Sequence, residues 1–217
     1  MKNDLRYCKI LNTNINVTNM KKTVDYLTDH LEELRGDYIC VSNVHTTMMS
    51  FRNKDYNRVQ NSCAMALPDG KPLSIVCKAR GFYDADRVPG PDLMPEMFKI
   101  SKEKGYRHYF YGSSQETLKK LREELNRNYP WLNIAGMYSP PYRALTQAEE
   151  ERIIREINDS KPDFIWVALG APKQEEWMYR HRFQVRGVMI GVGAAFDFCA
   201  GTVRRAPAWM LSLIHIS

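Results

Sequence analysis

From Tyr38 onward, short runs of apolar β-forming residues alternate with longer stretches in which apolar positions recur every three or four residues. A parallel sheet with crossover helices produces this pattern, because each strand is buried on both faces and each helix covers the sheet with one apolar stripe. Four strands are predicted: DYICVSN over 37–43, RHYFYG over 107–112, DFIWVALG over 163–170 and VMIGVG over 188–193. Each gives way to small or polar residues at its carboxyl end. Between them, Ser113-x-x-Glu116 and Thr146-x-x-Glu149 have capping-box spacing and predict helices over SQETLKKLREELNRN and QAEEERIIREINDS, with Pro162 stopping the second. The earlier part is less regular. It reads as a polar strand YCKILNT, a helix NMKKTVDYLTDHLEEL, and a strand-like AMALPDG over 64–70 that runs into KPLSIVCKARG. No Gly/Ser linker or charge block interrupts the series, which predicts one doubly wound, Rossmann-like α/β domain over 1–210, with a mostly parallel sheet, helices on both faces and a short tail over 211–217.

With 217 residues, 44% of them hydrophobic, the chain buries a full core without disulfides or a structural metal. Its five cysteines (Cys8, Cys40, Cys63, Cys77, Cys199) form no C-x-x-C pair and read as buried thiols of a reducing compartment. The opening MKNDLRYCKILNTNINV has no apolar signal-peptide core, and no run approaches the roughly 20 apolar residues of a membrane span, so a cytoplasmic protein is expected. Lys+Arg 31 against Asp+Glu 25 gives a net charge of +6, which suits a nucleotide, a nucleic acid or an acidic lipid surface. A nucleic-acid partner is disfavoured, because the aromatic residues sit in apolar strands rather than interleaved with basic ones.

In open α/β sheets ligands bind outside the carboxyl ends of the strands. Four such endings carry candidate chemistry: Ser42-Asn43-Val44-His45, Pro68-Asp69-Gly70, Gly170-Ala171-Pro172-Lys173-Gln174-Glu175 and Gly193-Ala194-Ala195-Phe196-Asp197. Asp69 stands between a proline that fixes the approach and a glycine that permits a sharp turn. It is read either as a held, reactive carboxylate or as an Asx-turn or cap of the next helix. Asn43 has the same two readings, and His45 is either a base or a helix-starting residue. In GAPKQEEW, free amides and Lys173 at a helix start would face a phosphate. Gly112-Ser113-Ser114 is a weaker copy that a cap explains. Asp84-Ala85-Asp86 has the form of a metal-holding D-x-D but lies beside Arg80 and Arg87 in a loop, so no metal site is expected there. Gly191-Val192-Gly193 lacks the third glycine of a dinucleotide loop and follows the last strand rather than the first, which argues against a dehydrogenase.

The ordered series VSNVHT (41–46), LPDG (67–70), DRVPGPDL (86–93), YFYGSS (109–114), PDFIWVALGAPKQEEW (162–177) and GVGAAFDFCAGTVRRAPAW (191–209) resembles the WecG/TagA/CpsF glycosyltransferases, and it covers most of the chain. These enzymes add a sugar from a nucleotide donor to a lipid-linked acceptor in bacterial envelope polysaccharide or teichoic acid synthesis. The resemblance implies an inverting transferase, independent of metal and cofactor. It would use a UDP-linked N-acetylmannosamine, its uronic acid or glucose, and a polyprenyl-diphosphate saccharide acceptor, at the cytoplasmic face of the membrane. It implies Asp69 as general base, with Asn43, Arg87 and Gln174 around it. Gly170, Lys173, Glu175, Gly193, Asp197, Gly112 and Ser113 would bind the donor, Asp197 accepting from the ribose hydroxyls. Homo-oligomerisation is left open, and the alternative is a non-catalytic nucleotide-sugar-binding module. The sequence departs from the family after RAPAWM, where members continue with a basic, apolar appendage and here LSLIHIS follows; Arg204 and Arg205 are the nearest substitutes for its cations.

Overall fold

The computed structural model describes residues 5–203. Strands β1 (Tyr7–Ile10) and β2 (Thr13–Asn16) form an antiparallel hairpin, followed by helices α1 (Met20–Asp29) and α2 (Leu31–Leu34). Then come β3 (Tyr38–Ser42), α3 (Val44–Arg52), α4 (Lys54–Ser62), β4 (Met65–Pro68), α5 (Lys71–Ala79) and α6 (Gly90–Lys104). The second half runs β5 (Arg107–Gly112), α7 (Gln115–Asn128), β6 (Asn133–Tyr138), α8 (Gln147–Asp159), β7 (Phe164–Ala168), α9 (Lys173–Arg180), β8 (Val188–Gly191) and α10 (Ala195–Cys199).

Strands β3 to β8 form one sheet in the order β4-β3-β8-β7-β5-β6, parallel at every pairing. Every residue of β3, β4, β7 and β8 is buried, which is why these strands read as unbroken runs rather than alternating ones. Successive side chains point to opposite faces and so build two cores. Ile39, Val41, Phe164 and Trp166 meet Leu93, Met97, Leu121 and Phe196 from α6, α7 and α10 on one face. Cys40, Ile165, Val167 and Met189 meet Leu73, Ile153, Ile157 and Met178 from α5, α8 and α9 on the other, where the β1–β2 hairpin also packs. The doubly wound reading is therefore what the chain adopts. Among the described residues no helix is long and apolar enough to cross a membrane.

Three local expectations change. The long first helix divides at His30, which caps α1 and precedes α2. Strand β6 was not predicted, because NIAGMY lies at the sheet edge, is only half-buried and carries no apolar run. The capping box at Thr146 forms as expected, with Thr146 N donating to Glu149 Oε2 at 2.9 Å and Glu149 N to Thr146 Oγ1 at 3.3 Å. That at Ser113 does not. Gly112 (φ 117°) and Ser113 (φ 59°) turn the chain in the left-handed half of backbone space, which moves the cap to Ser114, whose hydroxyl accepts from Thr117 N at 3.0 Å.

Candidate active site

Strands β4, β3, β8 and β7 are neighbours in the sheet, so the turns that follow them meet although they are far apart in sequence. Together with the loop before α6 they enclose a cleft of about 650 Å³ lined by Asn43, Asp69, Arg87, Gly170, Gln174 and Gly193. All four residues expected around the reacting centre are thus in one place. His45, Thr46, Lys71, Pro89, Phe198 and Val203 also line it.

Asp69 follows the last residue of β4. Its N–H donates to the Ser42 carbonyl of β3 at 2.6 Å, which fixes its backbone to the sheet, and Gly70 (φ 86°) then turns the chain into α5. The N-cap of α5 is Gly70, which has no side chain, so the capping role weighed for Asp69 belongs to a different position. Asn43 takes its structural reading and also stands in the cleft. It is the N-cap of α3 in a reciprocal box, its Oδ1 accepting from Thr46 N at 3.1 Å and its N–H donating to Thr46 Oγ1 at 3.0 Å, while it also lines the cleft.

Gln174 is buried and ties two walls together: its Oε1 accepts from Gly193 N at 3.1 Å and its Nε2 donates to Glu175 Oε1 at 2.7 Å. Of the amides expected to be free at the start of α9, that of Gln174 is engaged, donating to the Gly170 carbonyl at 3.0 Å. Pro172 also occupies the N-cap rather than the first helical position, after a cis peptide bond.

The remaining expected donor contacts lie elsewhere. Glu175 is buried behind Gln174 and does not line the cleft. Lys173 is exposed and, with Ser113, lines a neighbouring cavity of about 440 Å³ beside Tyr111, Arg143, Trp177 and Arg180. Gly112 lines neither, packing instead against the Ala168 backbone. Asp197 lies on α10, its Oδ1 accepting from Thr117 Oγ1 at 3.2 Å and Thr202 Oγ1 at 3.4 Å. Arg204, Arg205 and the tail lie outside the described residues.

Asp84 of the D-x-D is paired with Arg6 at 2.8 Å and Lys22 at 2.6 Å, the latter lowering its pKa, and Asp86 Oδ1 accepts from Arg87 N at 2.8 Å. Both acids are engaged in holding the amino-terminal segment and the loop before α6. Sequence reasoning missed Lys71; its place two residues after Asp69, at the first position of a helix, was the signal that could have found it.

Glu175, behind the cleft, has a strongly raised pKa. Burial pushes its pKa up to about 7, against the hydrogen bond from Gln174. Oε2 and the Tyr56 hydroxyl that faces it are both buried beyond hydrogen-bond length, and Cys40 on β3 and Glu176 on α9 lie close by. The folded protein therefore keeps this proton above the ordinary value of 4.5, where the unfolded chain releases it. The Glu175 contribution to stability falls as pH rises from about 4.5 through about 7, a loss on the order of 3 kcal/mol, while the buried imidazoles of His108 and His181, whose pKa values burial lowers, contribute the opposite slope below about 6.5. Glu175→Gln is expected to remove the Glu175 contribution to the slope, as read from denaturant unfolding at pH 5 and pH 8; an unchanged slope would place the titrating group elsewhere.

The glycosyl transferase WecG/TagA/CpsF family model matches residues 8–214. The chain is 31% identical over 199 residues to the N-acetylglucosaminyldiphosphoundecaprenol N-acetyl-beta-D-mannosaminyltransferase of Bacillus subtilis, covering 90% of this chain and 75% of that one. The enzyme of that name from Bacillus spizizenii is 32% identical over 186 residues (85% and 70%), and that from Staphylococcus aureus 28% over 171 residues (78% and 65%). With a match that spans nearly the whole parallel-sheet domain and relatives above 30% identity, the protein with this cleft belongs to the WecG/TagA/CpsF family and is a glycosyltransferase.

Proposed function

We propose that this enzyme transfers N-acetylmannosamine, or a close relative such as its uronic acid or glucose, from a UDP-linked donor to a polyprenyl-diphosphate saccharide, with inversion and without a metal ion, at the cytoplasmic face of the membrane. Two of the relatives, named as N-acetyl-beta-D-mannosaminyltransferases acting on N-acetylglucosaminyldiphosphoundecaprenol, favour N-acetylmannosamine and a lipid-linked N-acetylglucosamine acceptor in envelope polymer or teichoic acid synthesis. The observation that carries the chemistry is Asp69, its backbone fixed to β3 and its side chain lining the same cleft as Arg87, Asn43 and Gln174.

In the proposed step the acceptor hydroxyl oxygen attacks the anomeric carbon from the face opposite the departing diphosphate. A C–O bond forms to the acceptor, the C–O bond to UDP breaks with its electron pair leaving on the diphosphate, and the hydroxyl proton passes to the Asp69 carboxylate. A positioned base of this kind contributes roughly 10² to 10⁴ in rate. The donor rests against the Gly170–Gln174 and Gly193 turns, where Gln174 holds the Gly193 turn in shape, and Arg87 meets the leaving diphosphate.

UDP release should depend on a polyprenyl-diphosphate N-acetylglucosamine acceptor and persist in EDTA. The assay compares the chain as it stands with the chain joined to the C-terminal segment of the Bacillus subtilis relative. UDP release from both that never responds to acceptor would overturn the transfer reading. Strict manganese dependence, lost in Asp84→Ala, would overturn the metal-free one.

A further inference from the structure

The two sides of the cleft differ in chemistry. On the β7–β8 side the wall carries no charged side chain among the described residues: Gly170, Ala171 and Val192 to Ala195, with Gln174 and Phe198. On the β3–β4 side it bears ionisable groups, His45 near the start of α3 and Lys71 as the first residue of α5, on either side of Asp69 in the chain. Arg87 comes from the loop before α6, between the two sides: Val88 N there donates to the Pro68 carbonyl of β4, and Gly90, where the loop enters α6, packs against Val192 after β8. Asp69 is the only carboxylate among the described lining residues. His45, Lys71 and Arg87 all line this one cleft and form no ion pair with another described residue. In the neighbouring cavity, by contrast, Arg143 pairs with Glu149 and Arg180 with Glu150. Unpaired positive charge concentrated in a cleft attracts an anion beyond what one general base requires.

We propose, resting on the transferase reading above, that Lys71 and His45 bind the diphosphate of the lipid-linked acceptor, with Arg87 left to the donor. In an in-line displacement the nucleophile and the leaving group lie on opposite sides of the anomeric carbon, and the base accompanies the nucleophile. Asp69 belongs to the β4 turn, so the acceptor hydroxyl arrives from the β3–β4 side and the UDP departs toward β7–β8. The acceptor diphosphate, one sugar removed from the attacking hydroxyl, then lies farther out on the β3–β4 side, where Lys71 and His45 stand. Lys71, Ile75 and Lys78 are spaced four and three residues apart and share one face of α5. Ile75 is 56% exposed, and Val44 at the start of α3 is 48% exposed. An apolar side chain flanked by lysines just beyond a diphosphate site suits a prenyl chain leaving for an anionic lipid surface.

The test is equilibrium binding of two soluble probes to the parent chain and to Lys71→Gln, His45→Gln and Lys71→Arg: a short-chain prenyl diphosphate carrying N-acetylglucosamine, and UDP. A third arm measures association with phosphatidylglycerol vesicles. Lys71→Gln and His45→Gln are each expected to weaken the prenyl probe about tenfold, the effect of one lost contact to the diphosphate, with UDP affinity within about twofold and Lys71→Arg near the parent. Equal weakening of UDP would assign these residues to the donor and overturn the proposal. Unchanged binding of both probes would do the same, and so would a loss confined to vesicles, which would make the site one for lipid headgroups. A parent chain that binds UDP but not the prenyl probe contradicts the acceptor reading itself, and the proposal with it.

Discussion

Asp69→Asn is expected to lower acceptor-dependent transfer by roughly 10² to 10⁴ while UDP affinity and melting temperature stay near those of the parent. The substitution keeps size and shape and leaves the backbone bond from residue 69 to Ser42 in place, but an amide cannot take the acceptor proton. A residue that only shaped the turn would give the opposite result, since asparagine caps and turns about as well as aspartate. The N-cap position of α5 is held by Gly70, not by Asp69. Asp69→Ala separates the two contributions: turnover should match that of the asparagine variant, with any further loss of stability reporting the side chain's hydrogen bonding. Steady-state kinetics, UDP titration and thermal unfolding on both variants decide between these readings.

The second large effect is on the fold. At Gly112, φ is 117°, and a Cβ there would stand 2.6 Å from the carbonyl carbon of Ala168 and closer still to its oxygen. Neither side can yield. Gly112 pairs with Ala168 across the β5–β7 ladder, and Ser113 N donates to the Ala168 carbonyl at 2.9 Å. Backbone strain of about 1–3 kcal/mol and overpacking of a similar size combine, so Gly112→Ala is expected to cost about 3 kcal/mol or more. That is a large share of the roughly 5–15 kcal/mol that holds a domain together. Gly193→Ala is the comparison: φ there is 55° and nothing lies within 4 Å of the added carbon, so about 1 kcal/mol is expected. Chemical denaturation of both proteins reads the difference; equal small losses would mean that β5 and β7 separate easily at that point. Gly112 therefore owes its place to sheet packing, not to the donor contact expected from the motif that contains it.

That reassignment shows where the sequence was legible. Fully buried parallel strands announce themselves, because both faces demand apolar residues, and RHYFYG coincides with β5 residue for residue. NIAGMY, at the exposed edge, carries no such demand and was invisible. Around the site, fold logic alone gathers the residues that end adjacent strands, Asn43, Asp69 and Gln174 among them, whereas Arg87 is set beside them only by the family resemblance; the cleft holds all four. Fold logic does not say which way a side chain turns within its motif. Gln174 and Glu175 are consecutive on α9, yet one lines the cleft and the other stands behind it, while Lys173 faces the neighbouring cavity. Those directions depend on where α9 packs, as do the tie from Gln174 to Gly193 and the loss of the free amide to Gly170.

The most direct test of the central reading is the product. The enzyme, joined to the relative's C-terminal segment, is incubated with UDP-N-acetylmannosamine and a short-chain prenyl diphosphate carrying N-acetylglucosamine, and the acceptor is examined by mass spectrometry and NMR. The expected product is the acceptor enlarged by one β-linked N-acetylhexosamine, formed in step with UDP release, in EDTA, and absent from Asp69→Asn. UDP released while the acceptor stays unchanged, or an α-linked product, would contradict transfer by inversion at Asp69.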